Sequence, residues 1–274
     1  MVRFGASVFG LTILSGGLLG ALPALAADPA TAVKLRDQAL ADPTAYDILE
    51  SLTSEIGPRP AGSPAQMRAR DWAVAKMKSL GFTNVHVEPF AKRAWLRDGE
   101  SAEIIAPVPQ KLAILGLGGS VSTPADGITA EVVVLRSLAE LKAAPANAFT
   151  GKIVLVNQPM TRTQDESGYG AAVQARGAAS DAARRGAVAY LTRSISTSTA
   201  RAPHTGGFGY AADAPKIPAG ALGVPDADMI EHLAASGPVR LHINLQSHMV
   251  DATAWTISGD VLGSKTPDQV VVVG

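Results

Sequence analysis

Apolar residues recur at helical spacing between 31 and 56, at Val33, Leu35, Leu40, Tyr46, Ile48, Leu49, Leu52 and Ile56, and Pro43 divides the run in two. The pattern predicts a pair of surface-covering helices. The next stretch, Ile56-Gly57-Pro58-Arg59-Pro60-Ala61-Gly62-Ser63-Pro64, holds too much Gly and Pro for a helix or a central strand and predicts a shaped loop. A third helix follows with both ends marked. Ser63 is placed to cap it, Pro64 suits a first position that needs no N–H partner, and Gln66 completes a capping box. Ala65, Ala69, Trp72, Ala73, Met77 and Leu80 form its core face, and Gly81 ends it. From Phe82 to Phe90 the period drops to two. Val85 and Val87 fall on one side, His86 and Glu88 on the other, as in a half-exposed strand, so His86 reads as solvated rather than as a ligand.

Beyond residue 110 the apolar runs shorten and are separated by Gly, Pro and Ser. Leu112–Leu115, Glu131–Leu135, Gly151–Val156 and Ala187–Leu191 predict strands of a second, smaller unit. Between the last two, Ala171, Ala175, Ala178, Ala179 and Ala182 make a small-residue face for one helix from Ala171 to Arg185, capped by Gly186. A further helix is expected over about Asp226 to Ala235, and a strand over Arg240–His248 that closes the unit. Residues 255–258 and 269–273 open a different pattern. Val270-Val271-Val272-Val273 has no polar alternation, which predicts a strand buried on both faces of a helix-covered sheet.

With 274 residues, 47% of them hydrophobic, the chain can bury one sizeable core or two smaller ones. Its 24 basic and 24 acidic residues balance, so no long-range field recruits nucleic acid or an anionic membrane. There is no cysteine, which excludes disulfides, thiolate metal sites and a cysteine nucleophile, so a metal would need His, Asp or Glu. At the N-terminus, Arg3, an apolar stretch from Phe4 to Leu22 and the small residues Ala24 and Ala26 form a signal peptide, residues 1–26, with cleavage expected after Ala26. The mature chain is then secreted or periplasmic, with no stable membrane anchor.

The five histidines do not form a metal site by spacing. His242 and His248 share one strand face, but six residues of extended chain put them roughly 20 Å apart. His232 has no second His three or four residues away and reads as solvated on a helix. His204 sits in the Gly-rich loop Pro203-His204-Thr205-Gly206-Gly207, where a side chain serves either a substrate contact or a loop-stabilising hydrogen bond. His204, Thr205 and Gly206 are therefore the candidate substrate-adjacent residues. Leu115-Gly116-Leu117-Gly118-Gly119-Ser120 lacks the third glycine of a dinucleotide fingerprint and no helix pattern follows it; Gly118-Gly119-Ser120-Val121-Ser122 lacks the closing glycine of a nucleophile elbow. No catalytic and no metal-ligating residue is assigned.

Three stretches together resemble the secreted zinc aminopeptidases and carboxypeptidases of the carboxypeptidase Q type. They are Leu52 to Pro64 running into the Trp72 helix and Leu80-Gly81-Phe82; Gly151–Val156 with Arg185–Ala189 and Ile217–Ala221, similar to that family's inserted protease-associated domain; and Gly263-Ser264 with Thr266 to Gly274, similar to the strand that delivers its first metal ligands. The resemblance implies an α/β sheet fold with an inserted β-rich protease-associated domain. It places an N-terminal part of the peptidase domain at 27–109, the insert at 110–248, and the start of the metal-binding part at 249–274. It further implies a parent exopeptidase with two zinc ions and a peptide substrate, amino- or carboxypeptidase being undecided and a homodimer left open. In the family a Gly-His-x-Asp segment follows the strand matching Val270–Val273, so this chain is expected to bind no zinc and to be inactive alone. The competing reading is a secreted, non-catalytic binding module built on a protease-associated domain.

Overall fold

The computed structural model describes residues 28–274, so the expected signal peptide and its cleavage site lie outside the described residues. Residues up to 54 and residues from 55 onward form two compact units. In the first, α1 (Pro29–Ala41) and α2 (Thr44–Ser51) flank Pro43, and a π-helical turn over Leu52–Ile56 leads on. Asp28 caps α1 by accepting from the Ala30 N–H. Neither helix has a buried residue, and Leu35, Leu40 and Tyr46, expected on a covering face, are 61%, 80% and 66% exposed.

The second unit begins with the Gly/Pro loop and α3 (Pro64–Ser79). The Ser63 hydroxyl accepts from the Gln66 N–H at 3.2 Å, while the Gln66 side chain accepts from the Gly62 N–H at 2.7 Å, one residue earlier than a capping box requires. The expected apolar face is half-buried rather than core, and Leu80 is 46% exposed. α3 lies on a long antiparallel ribbon of β1 (Thr83–Ala106) and β8 (Arg240–Asp260). Its approach is close: a Cβ on Gly62 would fall 2.8 Å from that of Ala252, and the Arg70 guanidinium stacks 4.8 Å from the Trp255 ring.

The residues between β1 and β8 contribute β2 (Gln110–Leu112), β3 (Ile114–Gly116), β4 (Ile128–Leu135), α4 (Leu138–Ala143), β5 (Ile153–Val156), α5 (Ser167–Val173), α6 (Ala179–Ala183), β6 (Ala189–Arg193), β7 (Ala219–Leu222) and α7 (Val224–Ala234). All strands share one eight-stranded sheet in the order β2-β1-β8-β4-β5-β6-β7-β3. β4 to β7 run parallel, and β8 and β3 flank them antiparallel. Both faces are covered. Ile153 and Leu155 point into a cluster with Leu191, Leu241 and Ile230 of α7, whereas Val154 and Val156 point into another with Tyr190 and the alanines of α6. A strand buried on both faces carries no polar alternation, which is why β5 reads Ile-Val-Leu-Val.

Several expectations are corrected. In the unit between β1 and β8, helices lie on both sides of parallel strands. Leu112–Leu115 is two strands rather than one, because the Ala113 N–H between them donates to the Asp226 carboxylate at 2.6 Å instead of to a neighbouring strand. The single helix over Ala171–Arg185 is α5, a 3-10 turn (Gln174–Gly177) and α6; Gly177 lies at the break, and glycine is the weakest helix former after proline. The buried alanines still face the sheet. β8 runs unbroken past His248 to Asp260, since β1 supplies a partner along its whole length. Val270–Val273 is not a strand: these side chains are 83–90% exposed, and no other described segment offers them a ladder.

Candidate functional site

β3 leaves the sheet into the glycine loop at 116–122, and this loop is sewn to the second glycine loop, 203–210. The Gly118 N–H donates to Gly206 O at 3.0 Å, and the Phe208 N–H to Gly118 O at 2.9 Å. Gly118 and Gly207 form an isolated bridge, with space for a Cβ on Gly118 only 3.2 Å from the Gly207 Cα. Backbones this close require residues without side chains. Gly119 adds a left-handed φ of 95°, with a carbonyl, Phe208 O, 2.8 Å from where a Cβ would stand. Gly119→Ala is expected to lower stability by about 1–3 kcal/mol. Gly209→Ala, with nothing within 4 Å, is expected to stay within about 0.5 kcal/mol. Denaturant midpoints of the two variants check this, and equal values would remove the seam as a stabilising feature.

Beside the seam lies a cleft of about 410 Å³ whose walls come from β1, β8, both loops and Lys216. Trp95 is held at two points: its indole N–H donates to Ser120 O at 2.9 Å, and the Arg97 guanidinium stacks 4.8 Å from the ring. Arg97 also donates to Gly116 O and to the Thr205 hydroxyl, and pairs with Glu100 at 3.0 Å. Burial raises the Glu100 carboxyl above its ordinary value, opposed by the Gly116 N–H and Arg97. The Ser120 hydroxyl accepts from the Ala219 N–H and donates to Val121 O; Ser122 and Ser247 bond across the loop. The Tyr210 hydroxyl donates to Ile217 O at 2.6 Å and accepts from the Val121 N–H, and burial pushes this phenol upward. None of these hydroxyls has a general base beside it. They fix the loops rather than attack a substrate.

His248, on the cleft wall, places Nδ1 2.8 Å from each Asp98 carboxylate oxygen and leaves Nε2 without a partner among the described residues. Lys216 lines the same cleft and makes no ion pair or hydrogen bond among the described residues.

Of the sequence candidates, His204 is anchored to the end of the parallel sheet. Its Nδ1 lies 2.6 Å from Ile195 O, and its backbone N–H donates to the Ser194 hydroxyl. Thr205 receives Arg97, and Gly206 lies against Arg176, whose guanidinium would be 2.3 Å from a Cβ there. These three residues back the cleft but do not line it. His242 bonds Thr129 and is six positions along β8 from His248; His86 is exposed beside Asn84 and Glu88; His232 is exposed on α7. Among the described residues no three His, Asp or Glu stand together as a group that could hold a metal ion. Sequence reading missed Trp95, Tyr210, Lys216 and His248 as a group. They are scattered over more than 150 positions, and the one local signal was the pair of Gly-rich loops.

The mixed sheet and its helices define an α/β protein with the fold of zinc exopeptidases. A peptidase M28 precursor from Shewanella amazonensis superimposes with a TM-score of 0.80 and 38% identity over 88% of this chain and 55% of its own. A zinc aminopeptidase from Bacillus subtilis shares the fold with a TM-score of 0.53 at 19% identity, over 81% of this chain and 47% of its own. No family model matches. Carboxypeptidase Q of Bos taurus is 41% identical over 232 residues and that of Homo sapiens 38%, in each case over 83% of this chain and 48% of the relative. Over most of its own length the chain is similar to carboxypeptidase Q, and it spans about half the length of the curated relatives it matches.

Proposed function

We propose that these residues are the N-terminal part of a secreted two-zinc exopeptidase that hydrolyses terminal peptide bonds. The observation that carries this is the 41% identity to carboxypeptidase Q over 83% of the chain. In this reading α3 and the β1–β8 ribbon belong to the peptidase scaffold, and the unit between β1 and β8 is an inserted, protease-associated-type domain that shapes access. The loop of His204, Thr205 and Gly206 is substrate-adjacent through the seam it forms rather than through a catalytic side chain. Zinc held by the whole protein would polarise a carbonyl and acidify a water. Export fits the N-terminal pattern of small and apolar residues, and no helix among the described residues is long and apolar enough to cross a membrane.

The test compares the product of the continued reading frame with residues 27–274 alone on short peptides. The longer protein is expected to release terminal residues, to lose activity at least about 100-fold on exhaustive chelation, and to regain it with added zinc. Residues 27–274 alone are expected to show no turnover. Chelation-resistant hydrolysis would overturn the zinc reading. A longer product without hydrolysis would favour the non-catalytic binding module.

A further inference from the structure

We propose that the cleft between Trp95 and His248 binds a small ligand that joins a carboxylate to an apolar body, such as the free C-terminal residue of a peptide. The proposal rests on the exopeptidase reading only for the ligand's source, and it concerns residues to which no chemistry has been assigned above.

Ser120, Ser122, Ser247 and Tyr210 spend their hydroxyls on the loops. The Trp95 N–H is committed to Ser120 O. What remains for a ligand is the Lys216 ammonium and the His248 imidazole, with apolar surface from Trp95, Val121 and Met249. No carboxylate lines the cleft, and the neighbouring Asp98 is already engaged by His248 Nδ1. An ammonium facing an acid-free wall favours an anion, and a charge-assisted bond to a carboxylate is stronger than a neutral one. The apolar wall adds a second requirement. Met249 is 47% exposed, so covering it removes apolar surface from water, which a bare inorganic anion cannot do. A volume of about 410 Å³ suits one or two amino-acid residues rather than a macromolecular surface. The site is also largely pre-formed: stacking on Arg97 and the bond to Ser120 fix the indole, and Asp98 fixes the imidazole, so little order remains to be imposed on binding.

The test is equilibrium binding to the chain, by calorimetry and by the tryptophan quenching that Trp95→Phe abolishes, with N-acetyl-leucine, N-acetyl-leucinamide, acetate and inorganic phosphate as probes. N-acetyl-leucine is expected to saturate the site with a Kd below about 1 mM, and each other probe to bind at least about tenfold more weakly. Lys216→Gln is expected to weaken N-acetyl-leucine about tenfold and Lys216→Arg to retain it. Lys216 is exposed and unpaired among the described residues, so both variants should keep the parent's thermal midpoint. Equal binding of acid and amide, or no saturation by roughly 10 mM, would overturn the proposal. So would an unchanged Kd in Lys216→Gln. Phosphate binding as tightly as N-acetyl-leucine would reduce the cleft to a simple anion site and sink the apolar half of the claim. Chelator-sensitive turnover by the longer protein without binding here would leave the exopeptidase reading standing and this one fallen. Binding without turnover would do the reverse.

Discussion

Leu155→Ala is expected to destabilise the chain by about 2–5 kcal/mol, measured as a shift of the denaturant midpoint at unchanged slope. Leu155 is fully buried in the central parallel strand, between β4 and β6, and packs in the cluster with Leu191, Leu241 and Ile230. Truncation removes three carbons' worth of transfer energy and leaves a void that neighbours fixed in strands on both sides cannot close. The control is Leu262→Ala. That side chain is 75% exposed, and its loss is expected to stay within about 0.5 kcal/mol. Equal costs for the two would contradict the placement of the core.

Asp226→Ala is expected to cost on the order of 2–4 kcal/mol, although it removes only a short polar side chain. The carboxylate is 3% exposed and makes two bonds: it accepts from the Ala113 N–H at 2.6 Å and from Arg201 Nε at 2.7 Å. Its loss leaves a partly buried backbone N–H without an acceptor, worth about 1–3 kcal/mol. The remainder comes from Arg201, which is half exposed and so recovers part of its solvation. Asp226→Asn keeps an acceptor for Ala113 but loses the charge. It should fall between the parent and Asp226→Ala. If the asparagine and alanine variants unfold at the same denaturant concentration, the Ala113 bond contributes nothing and the account fails.

Asp226 also shows why some of the fold could not be read from sequence. Pairing an acid in the first turn of α7 with a backbone N–H 113 residues earlier is a tertiary event, invisible to the local periodicity that made Leu112–Leu115 look like one strand. Elements set by local chemistry were legible: Pro43 as a break, Ser63, Pro64 and Gly81 as the ends of α3, and the alternation of Val85 and Val87 against His86 and Glu88. Val270–Val273 shows the converse. An apolar run states that a strand is compatible with the chain, whereas a strand exists only where another offers its N–H and C=O groups. The candidate site was the least legible of all. Its hydroxyls, indole, imidazole and ammonium occupy five separate segments, each ordinary in its own context, and only the sheet brings them within one cleft. The glycines at 118, 119, 206 and 207 marked the place without revealing its chemistry.

The register of the long ribbon bears on how such a chain can be cut and rejoined. Ala106 stands opposite Arg240, so the chain departs into the intervening unit and returns from it at neighbouring points of one ladder. A short turn joining these two residues would close β1 and β8 as a hairpin without shifting a single pair. Removing the segment 107–239 would uncover Ile104, Leu241 and Ile243, which are now completely shielded from water.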